Sequence, residues 1–453
     1  MTHRLFVANR GEIALRIIRS AQAMGLETVL GVSSADVGSL AAQRANHVVV
    51  LGPAQARDSY LDAVLVVHAA KETGCTALHP GYGFLSERAE LAELCRREGL
   101  LFVGPEPESI RAVGDKLSAR ALARQAGVPL TSGSEKVGDV AQALTIAQDI
   151  GYPVITKASA GGGGRGMVVA YGPDELSASF DEASTTAREA FGDGTLYLER
   201  YVEIARHVEV QVVGDGEGRI VHFGERDCSI QRRYQKMIEE APAAILPPEV
   251  RDRLQEAAIS LLSSINYRNA GTVEFLYDVD RQDFFFMEVN ARIQVEHPVS
   301  EEITGTDLVA TQLRLATGTG LLPDQAQVQT HGHAIEVRII AEDPENDFAP
   351  SPGRITRWEP PTGEGIRVDS AAQAGTLVAP YYDSMIAKLI VHADNREAAV
   401  SLMAHALDAF VIEGIATNIP LLREIVAHED YRANAVNTRW LETTFLPNRQ
   451  TAS

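Results

Sequence analysis

GTVEFLYDVDRQDFFFMEVNARIQVEHP, residues 271–298, is the stretch on which the reading of this 453-residue chain turns. Two apolar-rich runs flank the polar segment DVDRQD, a pattern that predicts an antiparallel hairpin. A hairpin symmetric about Arg281 sets Glu274 directly opposite Glu288. Facing residues on paired strands have Cβ atoms roughly 4.5–5.5 Å apart, so two such carboxylates repel unless a divalent cation lies between them. Beyond Glu288 the polar residues continue at alternate positions, as Asn290, Arg292, Gln294 and Glu296, with Met287, Val289, Ile293 and Val295 on the opposite parity. On an extended strand successive side chains point to opposite faces, which predicts one face carrying acid, amide, cation, amide, acid. The ordinary reading of such a strand is a solvated polar face, yet a surface strand has no need of two glutamates facing each other. Glu274, Glu288 and Asn290 offer oxygen donors only, a set that suits Mg²⁺ or Mn²⁺ rather than zinc.

Magnesium commonly travels with nucleotide phosphates, which directs attention to a glycine run, Gly161–Gly164, followed by Arg165 and Gly166. Glycines expose backbone N–H groups that can cradle phosphate oxygens. A glycine run alone is equally consistent with a plain turn, but Lys157 on the strand leading into it adds a phosphate-binding cation. A third stretch, ERDCSIQRRYQKMIEEAP, packs Arg226, Arg232, Arg233 and Lys236 into an acidic chain. A solvated charged face and a basic site for anions both remain open for it.

The net charge of −20 opposes binding to nucleic acid or anionic membranes, so anionic substrates need a locally basic site. No stretch reaches the ~18 apolar residues of a membrane span, and the apolar run near the start is too short for a signal peptide. Cys75, Cys95 and Cys228 form no CxxC pair or disulfide framework, which fits a reducing, cytoplasmic setting. The first ~110 residues alternate strand and helix (LFVA, IALRIIRSAQAMG, TVLGVSS, a helix near Tyr60–Gly74, CTALHPG, ERAELAELCRRE, LLFVG), which predicts a mostly parallel, doubly wound sheet. Ser86 is the expected N-cap of the helix ERAELAELCRRE. The first strand–helix turn reads NRGE; neither GxGxxG nor GxxxxGK[ST] occurs, which removes the dinucleotide fingerprint and the ordinary P-loop. From Asp115 the pattern becomes helix, strand, glycine loop and strand, then long strand-like runs, a loop at Ala241–Pro248 and the hairpin. A third unit follows Thr330.

Together, ANRGEIALRI, HPGYGFLSE, Gly114–Lys116, KASAGGGGRGM, RHVEVQV, ERDCSIQRR, QKMIEEAP, GTVEFL, NARIQVEHPV, AEDP and PYYDSMIAKL resemble the biotin carboxylases of the ATP-grasp superfamily, in family order and over about residues 3–440. The resemblance implies a chain of α/β and α+β class. Residues 1–114 would form a doubly wound pre-ATP-grasp domain, 115–330 an ATP-grasp domain with a glycine-rich lid at about 130–203, and 331–445 a C-terminal domain. By the same resemblance, ATP would be bound by Lys116, Lys157, Gly163, Gly164, Glu199, Arg200, Tyr201, Val202, His207, Gln231 and Tyr234, with Glu274 and Glu288. The metal, Mg²⁺ or Mn²⁺, would be held by Glu274, Glu288 and Asn290. Bicarbonate and biotin would meet Lys236, Arg292, Gln294, Val295, Glu296 and Arg338, of which Lys236, Arg292, Glu296 and Arg338 would be catalytic. In the family mechanism the residue matching Glu296 deprotonates bicarbonate and the residue matching Arg338 stabilises the biotin oxyanion.

The implied partners are a separate biotin carboxyl carrier protein, carboxyltransferase subunits of an acetyl-CoA or other acyl-CoA carboxylase, and a second copy of the chain. No AMKM-like biotinylation motif occurs, and the few residues after the third unit leave the expectation that the carrier is a separate polypeptide. Three positions depart from the family pattern: Tyr234 where histidine is common, Ala160 in place of a first glycine, and Ile340 where RINAEDP is common. An amine-joining ATP-grasp ligase, such as a carboxyaminoimidazole ribonucleotide synthetase, fits RIQVEHPV with Arg338 poorly. A non-catalytic nucleotide sensor has no use for the full set of Lys236, Glu274, Glu288, Arg292, Glu296 and Arg338.

Overall fold

The computed structural model describes residues 3–159 and 167–452. Its N-terminal part is a five-stranded parallel sheet in the order His47–Gly52, Glu27–Ser33, Arg4–Val7, Ala77–His79, Leu101–Phe102. The central strand divides its side chains by parity. Leu5 and Val7 join Ile13, Ile17 and Ile18 of the helix Gly11–Ala23 on one face, and Phe6 joins Val66, Val67 and Leu91 of the helices Ala63–Glu72 and Ala89–Arg97 on the other. Both faces are covered, as a doubly wound sheet requires. One local expectation fails. The helix after Ser86 begins at Ala89, with Arg88 at the N-cap position and no side-chain cap. Left-handed Gly83 and Phe84 open a turn in which the Ser86 N–H bonds Gly83 and the Arg88 N–H bonds Leu85, so the Ser86 hydroxyl is buried in the turn, short of the helix N-terminus.

The second sheet has eight strands, all antiparallel: Asp283–Asn290, Arg268–Asp278, Ala205–Asp215, Ile220–Arg232, Gln235–Ala241, His333–Ile340, Met385–Ala393, Ile366–Ser370. It runs across residue 331 without interruption, because His333–Ile340 pairs with Gln235–Ala241. On Ala205–Asp215, Val208, Val210 and Val212 pack with Leu254, Ala258 and Leu261 of the helix Pro248–Ser263. His207, Glu209 and Gln211 have the opposite parity and face the other way. On His333–Ile340, Ile335, Val337 and Ile339 likewise pack towards the helices Arg396–Ala409 and Ile419–Ala427. The apolar halves of these strands thus anchor a charged face on the reverse.

A smaller antiparallel sheet, Val168–Ala170, Val154–Ala158, Leu196–Arg200, is flanked by the helices Val140–Ile150 and Pro173–Phe191. Val154, Leu176, Phe180, Leu196 and Leu198 form a hydrophobic core of its own, separate from those of the two larger sheets. Among the described residues no helix is long and apolar enough to cross a membrane, and the three cysteines are free and buried.

Candidate active site

The hairpin at 271–298 forms, with a correction to its register. Near the turn Asp278 pairs with Asp283 and Phe275 with Phe286, which is not symmetric about Arg281. A bulge between Glu274 and Phe275 takes up the extra residue, and only beyond it does Glu274 face Glu288. The strand also stops at Asn290. Residues 291–296 form an irregular segment that leads into the helix His297–Thr304, with Glu296 at the N-cap position. The expected extended strand through Glu296 is therefore absent. Bonds to other strands, and not strand alternation, turn the side chains inward.

Arg226 provides most of those bonds. It stands in register with Glu209 across the sheet and is fully buried. Its Nε donates to Glu209 (2.6 Å), one terminal nitrogen to Gln211 (2.8 Å) and Ser300 (3.1 Å), and the other to Gln294 (2.6 Å) and Thr272 (3.3 Å). All five guanidinium donors are thereby used. Gln294, held from behind, donates to Glu274 at 2.9 Å. Asn290 donates to the same carboxylate at 2.8 Å, and its amide oxygen accepts from Arg292. Arg292 is steadied by Glu87 from the N-terminal part at 3.0 Å, and the Val295 carbonyl accepts from buried Lys388 at 2.6 Å.

Lys236 lies at the centre. A two-residue turn, Arg233–Tyr234, reverses the chain with both residues in the left-handed region, a hairpin geometry that matches strand twist. It brings Lys236 opposite Gln231. The ammonium donates to Glu209 (2.6 Å), Glu274 (3.0 Å) and Glu296 (2.6 Å), three donors for three carboxylates. Burial alone would lower the lysine, but the three carboxylates outweigh it and hold its pKa well above the ordinary value. In the same way burial would raise Glu274, and Lys236 and His207 override it to hold that carboxylate well below its usual range. Glu296 is also held down: burial pushes it up, and Lys236, Arg338 and Arg226 more than compensate. Its second oxygen accepts from Arg338 at 3.0 Å, while the Arg338 Nε donates to Glu239 at 2.6 Å.

These groups line a cleft of about 340 Å³ that gathers Lys116, Lys157, His207, Gln231, Tyr234, Lys236, Glu274, Glu288, Asn290, Arg292, Gln294, Val295, Glu296 and Arg338. A second cavity of about 330 Å³ continues under the small sheet, sharing Lys157, His207, Gln231 and Tyr234 and adding Glu199, Arg200, Tyr201 and Val202. Ile155, Met167, Leu276, Phe286 and Met287 give it apolar walls, suited to a flat heterocycle. Between the two, Glu199 accepts from Lys157 (2.8 Å) and pairs with Arg120. Ala160 and the glycine run Gly161–Gly164 with Arg165 and Gly166 lie outside the described residues. The other residues assigned to ATP, metal, bicarbonate and biotin line this double cleft, whereas Arg226 and Arg232 of the basic run do not.

The two facing carboxylates differ. Glu274 is buried and already bonded, whereas Glu288 is about one-third exposed with Lys116 at 3.6 Å. With the Asn290 oxygen they make an all-oxygen donor set that fits a hard divalent cation. The basic run also divides: Arg226 and Lys236 are interior, Arg233 is exposed, and Arg232 stacks over Phe348 at 3.5 Å. Sequence reasoning missed the structural roles of Glu87, Arg120, Glu209, Gln211 and Glu239. For Glu209 and Gln211 the available signal was RHVEVQV itself, whose polar residues alternate with valines on a strand with one covered face.

Three family models match the chain: biotin carboxylase, N-terminal domain, over residues 1–110; carbamoyl-phosphate synthase L chain, ATP binding domain, over 115–323; and biotin carboxylase C-terminal domain, over 336–443. The chain is 48% identical to biotin carboxylase 1 of Bacillus subtilis, over 98% of this chain and 99% of that one. It is 45% identical to the pyruvate carboxylase subunit of Methanothermobacter thermautotrophicus, over 98% and 90%. Among solved structures, the biotin carboxylase domain dimer of the Hydrogenobacter thermophilus 2-oxoglutarate carboxylase, in complex with MgADP, ADP and bicarbonate, superposes with a TM-score of 0.94 at 45% identity, covering 98% of this chain and 97% of that one.

Proposed function

We propose that this chain, which belongs to the biotin carboxylase family, carboxylates biotin with ATP and bicarbonate as the first half-reaction of an acetyl-CoA or other acyl-CoA carboxylase. The observation that carries the reading is the Lys236 hub: one ammonium bonded to three carboxylates, with Arg338 bridging Glu296 and Glu239, at the end of a cleft continuous with a nucleotide-sized cavity.

In this reading Glu199, Arg200, Tyr201, Val202, His207, Gln231 and Tyr234 hold the nucleoside. Lys116, Lys157, Gly163 and Gly164 hold its phosphates. Glu274, Glu288 and Asn290 hold Mg²⁺ or Mn²⁺, which supplies charge neutralisation to those phosphates. Arg292, Gln294 and Val295 bind bicarbonate and biotin beside Lys236. Glu296 is kept ionised, so it can take the bicarbonate proton, and its basicity rises when Lys236 and Arg338 turn from it towards substrate. The bicarbonate oxygen then attacks the γ-phosphorus and ADP leaves, giving carboxyphosphate, which breaks into CO₂ and phosphate. Phosphate takes the N1′ proton of biotin, Arg338 stabilises the enolate-like oxygen, and N1′ forms its bond to CO₂. Charge stabilised in a water-poor cleft is worth far more than in bulk water.

Biotin arrives on a separate carrier protein, carboxyltransferase subunits complete the enzyme, and the chain pairs with a second copy; the dimer of the Hydrogenobacter domain supports the last point. The free, buried cysteines support a cytoplasmic setting. A second reading of the acceptor has its own support, since two of the relatives above are named for pyruvate and 2-oxoglutarate. The test is bicarbonate-dependent ATP cleavage stimulated by free biotin, followed by carboxyl transfer to an added biotinylated carrier. Absence of biotin stimulation in metal-replete protein refutes the activity, and the carboxyltransferase that copurifies decides between the acceptors.

A further inference from the structure

Behind Arg338, on the side away from the cleft, two glutamates face each other across the sheet. Glu239 and Glu336 are register partners on the antiparallel strands Gln235–Ala241 and His333–Ile340, and both are fully buried. Facing residues of such strands have Cβ atoms roughly 4.5–5.5 Å apart on one face. Between them the two carboxyls have four oxygens, of which a single one, Oε1 of Glu239, is bonded, to Arg338 at 2.6 Å. The other Glu239 oxygen and both Glu336 oxygens have no hydrogen-bond partner among the described residues. Two buried carboxylates cannot both stay ionised beside one guanidinium that also serves Glu296.

We infer that Glu239 and Glu336 form a one-proton pair that positions Arg338, Glu239 carrying the charge that holds the guanidinium and Glu336 carrying the proton. The inference rests on the reading of Arg338 as the group that meets the biotin oxygen. The surroundings agree with it. Burial pushes both carboxyls upward, and the neighbouring positive charges do not bring either back to its ordinary range. The titratable and charged groups around Glu336 are Glu239 on one neighbouring strand, Lys388 on the other and Arg338 on its own, with Glu296 and His297 before and in the helix His297–Thr304, and Tyr82 with Glu12 from the N-terminal part. Lys388 is the cation that most opposes the rise at Glu336, but its ammonium donates to the Val295 carbonyl and lies 3.6 Å from Glu12, and burial with the charge of Glu239 still outweighs it. A proton on Glu336 removes the repulsion while leaving Glu239 its charge. When pH rises and that proton leaves, two buried negative charges compete for Arg338 and pull it from its place beside Glu296.

Two measurements on the full chain test this. In infrared spectra of protein labelled with carboxyl-¹³C glutamate, the wild type should show at neutral pH the carbonyl band of a buried protonated acid. Glu336→Gln should remove that band. Glu239→Gln should remove it too, because the remaining carboxyl then ionises against Arg338. Persistence of the full band in either variant overturns the pair. In kinetics, the KM for free biotin should rise on the alkaline side of neutrality in the wild type, and Glu336→Gln, which has no proton to lose, should flatten that rise. Glu239→Gln should raise the biotin KM about tenfold or more at every pH, beyond any fall in kcat, as expected for loss of one charge-assisted bond. A wild-type KM that does not change with pH, or an alkaline rise that survives in Glu336→Gln, overturns the positioning role. If the protein turns over no biotin, the proposed activity fails by itself, while the infrared result still decides the pair.

Discussion

At the Lys236 end of the cleft, charge sits against charge: Glu209, Glu274 and Glu296 around one ammonium, Arg226 with every donor used, and Arg338 between two glutamates. At the Glu199 end the walls are Ile155, Met167, Leu276, Phe286 and Met287, part of them on a small sheet with its own core. The first end is fixed by strand register and contains groups that cannot be removed singly without stranding a charge. The second end is mostly apolar wall, and apolar contact tolerates exchange better than paired charge. Paired charges are built into the larger sheet, and part of the wall of the second cavity is carried on a small sheet whose packing is separate.

The largest effect should come from Lys236→Met, which leaves three buried carboxylates without their cation. Breaking a buried pair from one side costs on the order of 3–5 kcal/mol, so biotin-dependent ATP cleavage should vanish and the thermal midpoint should fall. A variant that melts normally and still turns over would break the contrast between the two ends. Next is Glu296→Gln, which keeps the shape and loses the basicity. Turnover should drop by roughly 10²–10⁴-fold while calorimetry shows nucleotide still binding, since Glu296 lies away from the Glu199 end; lost nucleotide binding would mean the ends are not independent.

Leu198→Ala tests the other side. A buried Leu→Ala change costs about 2–5 kcal/mol, and here it should be confined to the small sheet. The expected signs are easier proteolysis within about residues 130–203 and weaker ATP binding, with the main unfolding transition in place. A matching loss in the main transition would join the two cores into one. The smallest effect is expected from Tyr234→His, at a half-exposed turn bordering both cavities. A change in ATP affinity below about tenfold, or ~1.4 kcal/mol, is expected by titration. A collapse of turnover would place Tyr234 among the groups that cannot be exchanged.

The parallel sheet was legible because Leu5, Phe6 and Val7 belong to an unbroken apolar strand followed by an amphipathic helix, both local signals. The facing of Glu274 and Glu288 was legible for an incomplete reason: symmetry about Arg281 gives the right pair, but the chain reaches it through a bulge that no local pattern announces. Convergence of Arg292, Gln294 and Glu296 was expected from strand alternation and is produced instead by Glu87, Arg226, Lys236 and Arg338. Those partners come from distant strands and, for Glu87, from the turn before the helix Ala89–Arg97, so nothing near Glu296 in the chain could name them. Glu239 and Glu336 were invisible for the same reason. Glu239 stands beside Glu240 in QKMIEEA and Glu336 between apolar neighbours in HAIEVRII, and only the register sets the two face to face.

The eight-stranded sheet crosses residue 331 unbroken, and this limits how the chain could ever be divided. Cut within residues 318–332, between the helix Leu308–Thr317 and the strand His333–Ile340, the protein would yield two pieces of which each bares a raw strand edge. Unpaired rows of amides and carbonyls are templates for any strand that comes by. Made separately, the pieces should precipitate; made together, each is the other's missing neighbour, and they should reassemble as a split enzyme whose seam runs between Glu239 and Glu336.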